Sequence, residues 1–277
     1  MTESTTSAAR NASPARTRFA ALLRDWRRRR RLSQQTLALD AGVSQRHLSF
    51  LESGRSQPSR EMILKLCESL DVPLRERNPW LVAAGFAPLY RARGLDDPQM
   101  AQVSRAVTLM LDNHSPYPAL AMDRRWQLYR ANRPFMQMLA LLTGNSLSEA
   151  DPAAINLLEL FFSPGGIRPL VSNWDAIAPL LWRRAEREAE ELQDLTMRST
   201  LATLGRSLDV AGLRRDADAP LVPVLPLTLA VGGLELSLFT VISTFGTAQD
   251  VHAEELRIEC FFPADEATER WLKAELH

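Results

Sequence analysis

Along the first ninety residues, apolar positions recur with the 3.6-residue period of helices. Phe19, Leu22, Leu23 and Trp26 stand at i, i+3, i+4 and i+7, which predicts one buried helix face. Ser33 suits the start of a second helix that turns Leu37, Ala38 and Ala41 inward, although no Glu or Gln at position 36 completes a capping box. Gly42 follows, where a left-handed backbone makes a sharp corner. Val43 plugs that corner, and Ser44 caps a third helix whose Leu48 and Leu51 sink inward. Ser59 opens a fourth helix with Met62, Ile63, Leu66, Cys67 and Leu70 inside, ended by Asp71-Val72-Pro73. A fifth helix stops at Gly85. Pro79 is awkward for an unbroken helix from Leu74, so Asn78 as cap and Pro79 as first residue predict a later start.

Beyond Tyr90 the period changes. Ala119–Met122 and Trp126–Tyr129 predict two strands around an Asp123-Arg124-Arg125 turn. Asn132 caps a helix carrying Phe135, Met136 and Leu139, and residues 155–209 read as helical, broken at Pro164-Gly165-Gly166. Trp174–Leu195 is long, amphipathic and charged. Leu221–Ala230 and Leu234–Phe245 flank Gly232-Gly233 as a hairpin. Leu256, Ile258 and Cys260 alternate with Glu255, Arg257 and Glu259, which predicts a strand with one face to water. A helix over 264–276 closes the chain. The expectation is multidomain: an all-α five-helix domain containing a helix-turn-helix, then an α+β domain with an antiparallel sheet covered on one face. The divisions are a disordered tail at 1–16, the helical domain at 17–90, a linker at 91–99 and the second domain at 100–277.

Charge sharpens this division. Residues 1–95 carry 17 Arg plus Lys against 8 Asp plus Glu, and residues 96–277 carry 16 against 25, so +9 faces −9. The basic front half points to a polyanion partner, with docking of the two halves as the alternative. Arg27–Arg31 suit a helix C-terminus and serve either as a solvated face or as phosphate contacts. The opening MTESTTSAARNASPAR has no apolar core of the signal-peptide kind, and no apolar run is long enough for a membrane helix. Cys67 and Cys260 lack disulfide or zinc spacing, and the expected location is the cytoplasm.

With Leu48 and Leu51 inward, Arg46, Ser49 and Phe50 lie on the opposite face of the third helix, with Gln45 on its flank. Arg can bond guanine, Gln can pair with adenine, and Phe can touch a thymine methyl. Core packing is the competing role for Phe50. His47 sits at the edge, contacting a phosphate or nothing. The stretch SQQTLALDAGVSQRHLSFLESGRSQPS closely resembles the XRE-type helix-turn-helix regulators, the group of lambda and Cro-like repressors. That resemblance implies base contacts from Ser44, Gln45, Arg46, Ser49 and Phe50, and sugar-phosphate contacts from Gln34 and the loop Ser53–Arg55. It also implies double-stranded DNA as partner and a homodimer on an inverted repeat.

PALAMDRRWQLYRAN and LFTVISTFGTAQDVHAEELRIECFFPAD resemble the MmyB-type, PAS-like ligand-binding domain that follows such DNA-binding domains. The resemblance implies a bound fatty acid or similar apolar molecule, and no other cofactor or metal. Candidate pocket residues are Trp126, Tyr129, Asn132, Phe135, Met136, Phe161, Phe162, Trp174, Leu181, Arg183, Phe239 and Phe245, each with core packing as its alternative. Arg133, Arg168, Arg183 or Asn132 are candidates to meet a carboxylate head. An enzyme is the less favoured class: GxSxG, HExxH and phosphate-loop patterns are missing, and Asp112 beside His114 reads as a polar turn. A further alternative is an antitoxin-like adaptor gripping a protein through Trp174–Leu195.

Overall fold

The computed structural model describes residues 14–144, 147, 151–192, 194–215 and 223–276. Residues 1–13 of the expected tail, and Leu221 and Val222 of an expected strand, lie outside these. The contacts divide the chain into two units between Ala92 and Arg93, with Gln249–Val251 counted in the first.

The first unit is a helix cluster: α1 (Pro14–Arg29), α2 (Gln34–Asp40), α3 (Gln45–Glu52), α4 (Arg60–Ser69) and α5 (Leu74–Ala83). Helix α1 begins at Pro14, inside the segment expected as tail, because proline suits the first helical position. Ser33, Ser44 and Ser59 each accept the backbone N–H three residues on, so all three expected caps form. At the α2 corner Gly42 holds φ +63°, with Val43 N–H on Ala38 O at 2.8 Å and Gly42 N–H on Leu39 O at 3.1 Å. A Cβ there would meet nothing within 4 Å, so the glycine is required by the left-handed backbone alone. Leu48 and Leu51 are fully buried beside Leu23, Leu37, Ile63 and Leu66, each such side chain contributing roughly 1.5–3 kcal/mol on burial.

Two details differ from expectation. Helix α5 runs unbroken through Pro79, and Asn78 is no cap. Its Oδ1 accepts from Leu89 N–H and Tyr90 N–H, and its amide donates to Tyr90 O at 2.6 Å, clasping the chain that follows. The arginine run is also not a uniform solvated face. Arg30 donates to the carbonyls of Leu70 and Asp71 at the end of α4. Arg27 bonds Glu52 of α3 through two nitrogens, at 2.5 and 2.9 Å.

The second unit continues with α6 (Ala101–Asn113), β1 (Ala119–Met122), β2 (Leu128–Ala131), α7 (Arg133–Leu142), α8 (Leu157–Phe162), α9 (Trp174–Glu191), α10 (Leu195–Leu204) and α11 (Val210–Arg214). Then come β3 (Leu227–Val231), β4 (Leu234–Ser243), α12 (Val251–Glu255), β5 (Arg257–Pro263) and α13 (Glu266–Glu275). The five strands form an antiparallel sheet in the order β2-β1-β5-β4-β3. The second strand starts at Leu128, not Trp126, because Trp126 lies in the turn with φ +65°. Strand β3 begins at Leu227, after Pro226, which cannot donate to a ladder.

The sheet is covered on both faces, which corrects the expectation of one. Leu120, Leu128, Leu236, Leu238 and Phe261 join the large core under α7–α10, and Ala119, Ala121, Ile258 and Cys260 pack with Val107 and Leu111 of α6. The Arg257/Glu259 side of β5 therefore does not face water; it shares its side of the sheet with Phe261, toward the large core.

Candidate nucleic-acid interface and apolar cavity

On α3 the two buried leucines leave Ser44, Gln45 and Arg46 exposed and His47, Ser49 and Phe50 half-buried. The Arg46 guanidinium sits 5.4 Å from the Phe50 ring centroid, one helical turn on. This stacking limits the rotamers of a long side chain, holding a fork of donors on the outer ridge. Ser44 Oγ accepts His47 N–H at 3.1 Å and keeps its own proton to offer outward. Arg55 is exposed. Gln34 uses one amide N–H on Glu52 at 2.8 Å, which fixes its orientation and leaves the second N–H. Ser53 Oγ donates to Phe50 O at 3.2 Å, so its proton must turn outward before it can meet a phosphate.

Behind this ridge lies a buried ionic cluster. Burial raises the Glu52 carboxyl, but hydrogen bonds from Arg27 and Gln34 and the charges of Arg27 and Arg24 outweigh it, and the net shift is downward. The pair ties α1 to α3 and so sets the angle of the outward ridge.

The second unit holds an apolar cavity of about 140 Å³ between the sheet and helices α7, α8 and α9. Of the sequence candidates, Trp126, Phe135, Phe161, Leu181 and Phe239 border it. The others lie elsewhere. Tyr129 and Phe245 pack on the α6 side of the sheet. Phe162 is fully buried against Trp182, with ring centroids 5.2 Å apart, and Trp174 stacks on Phe161 under Arg168 without bordering the cavity. Met136 packs at the edge of the core, Arg133 is exposed, and Arg183 is half-buried away from the lining. Asn132 is saturated by Ala119 N–H, Phe135 N–H, Leu111 O and Tyr117 O, at 2.8 to 3.1 Å, so none of its atoms is left for a ligand. His114 Nε2 lies 2.8 Å from Phe261 O and donates to it.

Residues missed from sequence include Leu120, Met138, Leu139, Leu157, Ile177, Leu229, Leu238, Thr240, Glu259 and Phe261. Leucines carry no signal that separates cavity wall from packed core. Glu259 did carry one: α6 was readable from Val103, Val107 and Leu111, and a helix on the Ile258 side turns Glu259 inward. Trp126, which borders the cavity, donates through Nε1 to Glu188 Oε2 at 2.7 Å, and the Arg184 guanidinium lies 4.6 Å from its indole centroid. Trp126 holds a positive φ of 65°, rare for a bulky residue.

Comparison with known proteins gives matches for both units. Residues 103–274 match the family model described as MmyB-like transcription regulator ligand binding domain, and residues 23–77 match the helix-turn-helix model. Among solved structures, the clp gene regulator ClgR from Corynebacterium glutamicum is 30% identical over 25% of this chain and 87% of its own, with TM-score 0.23. A second ClgR structure is 23% identical over 38% of this chain and 98% of its own, with TM-score 0.24. No curated protein matches the chain significantly.

Proposed function

This chain belongs to the transcription regulators with an MmyB-like ligand binding domain, and on that premise we propose how it reads DNA and what adjusts it. Helix α3 enters the major groove, with Arg46, Gln45, Ser44, Ser49 and Phe50 at base edges. Arg55, Gln34, His47 and Ser53 hold the sugar-phosphate backbone. Two copies bind an inverted repeat with half-sites roughly one helical turn, ~34 Å, apart. The observation that carries this reading is the exposed Arg46 guanidinium stacked on Phe50 above two fully buried leucines.

The cavity takes a small apolar ligand, and its occupancy shifts operator affinity. Its size is close to the roughly 150 Å³ that accepts a benzene-sized molecule in other proteins. A fatty acid would therefore enter with a short stretch of chain, or displace half-buried rim leucines such as Leu142, Leu160 and Leu225. The adaptor reading is less favoured, because Ile177, Ala178, Trp182, Ala185 and Ala189 of the charged helix α9 are buried in this unit's own core.

Selection of bound sequences from a random DNA pool tests the first part. Arg46→Ala is expected to weaken the selected site by ~1–3 kcal/mol and relax one base-pair preference. Arg55→Ala should weaken all sequences alike. Unchanged affinity and preference in Arg46→Ala would remove the assigned role.

A further inference from the structure

One ionisable side chain, Glu259, is among the residues that border the cavity, and the reading of the cavity as a ligand site gives it no task. We propose that Glu259 selects the polar end of the ligand, so that the cavity takes an apolar molecule ending in an uncharged hydrogen-bonding group in preference to a carboxylate. This rests on the cavity being a ligand site, as argued above, and goes further by naming the group that chooses among ligands.

The geometry carries the argument. Glu259 stands in the middle of β5, paired with Leu120 on one side and Ile242 on the other. Its companions at the cavity are mostly leucines and phenylalanines from α7, α8 and the neighbouring strands, with Thr240 of β4 diagonally across and hydrogen-bonded to it. The charged groups that face it come from α9: Arg184, which favours its ionised form, and Glu188, which opposes it. Arg184 is also engaged elsewhere, donating to Glu188 at 3.4 Å and stacking on Trp126. Burial therefore wins, and the Glu259 carboxyl is pushed up. In either protonation state the carboxyl accepts from a ligand hydroxyl or amide N–H, and its protonated form also donates. A ligand carboxylate placed beside it would bring a second negative charge to a mostly apolar wall, where the two carboxyl groups either repel or share one proton.

Calorimetric titration of the full-length protein with 1-octanol and with octanoate, at pH 6 and pH 8, tests the assignment. At pH 8 the wild type should bind octanol about tenfold more tightly than octanoate. Glu259→Gln keeps the shape and the hydrogen bonds but cannot ionise. It should leave octanol within about twofold and strengthen octanoate at pH 8 by about fivefold or more. A purely structural role would move both ligands together. Equal binding of the two probes by the wild type at pH 8, or a variant that changes both by the same factor, overturns the proposal while the ligand cavity stands. If neither probe binds the wild type, the cavity reading falls with it. Should Glu259→Gln fail to fold, the wild-type comparison still decides.

Discussion

Asn132→Leu is expected to lower the stability of the second unit by ~4 kcal/mol or more, a large share of a typical ~5–15 kcal/mol total. Leucine is close in size, so the loss comes from polarity. Two backbone N–H groups, of Ala119 and Phe135, and the Tyr117 carbonyl would lose their partner, and the Leu111 carbonyl would keep only His114 N–H at 3.3 Å, at a site only 5% exposed. Each unsatisfied buried group costs roughly 1–3 kcal/mol, and a lost helix cap is part of that sum. The four bonds join the end of α6, the start of β1 and the cap of α7. Hydrogen exchange at Ala119 and Phe135 should therefore accelerate more than elsewhere. A loss below about 1 kcal/mol in denaturant titration would show that water replaces the amide at little cost.

Glu52→Gln should destabilise the helical unit by ~3 kcal/mol, the low end of what breaking a buried ion pair costs. The low end applies because Arg27 keeps Leu32 O as an acceptor at 2.8 Å. The pH dependence fixes the mechanism. The folded carboxyl titrates below its ordinary value of 4.5, so its stabilisation is fully present above that pH. It is lost as pH falls through the depressed folded value. Wild type and variant should therefore differ by a constant amount at neutral pH and converge in acid. A gap that persists unchanged at the lowest accessible pH would mean that packing, not the charge pair, is responsible.

What sequence made legible was short in range. The caps at Ser33, Ser44, Ser59 and Asn132 and the corner at Gly42 join residues three to five apart, and each forms as the residue types require. The inward leucines of α3 were equally plain. What escaped depends on distant partners. Asn78 was a credible cap until Tyr90, twelve residues on, engaged its side chain. Arg27 read as one of five surface cations until Glu52 met it from another helix. The alternation along β5 was correctly seen, but one face was expected to meet water, and α6, which covers the Ile258 side, was not among the expected helices. The cavity list held aromatics because they stand out in a sequence, whereas most of the wall is leucine.

The central claim is that the cavity ligand and the DNA ridge of this chain act on one equilibrium. Operator affinity is titrated with any apolar molecule that mass spectrometry recovers from the purified protein removed and restored. The account predicts a shift of ~5–150-fold in one direction, the usual range for coupled sites, and no shift for the same DNA bound by residues 14–92 alone. Identical operator affinity with the molecule removed and restored would contradict it.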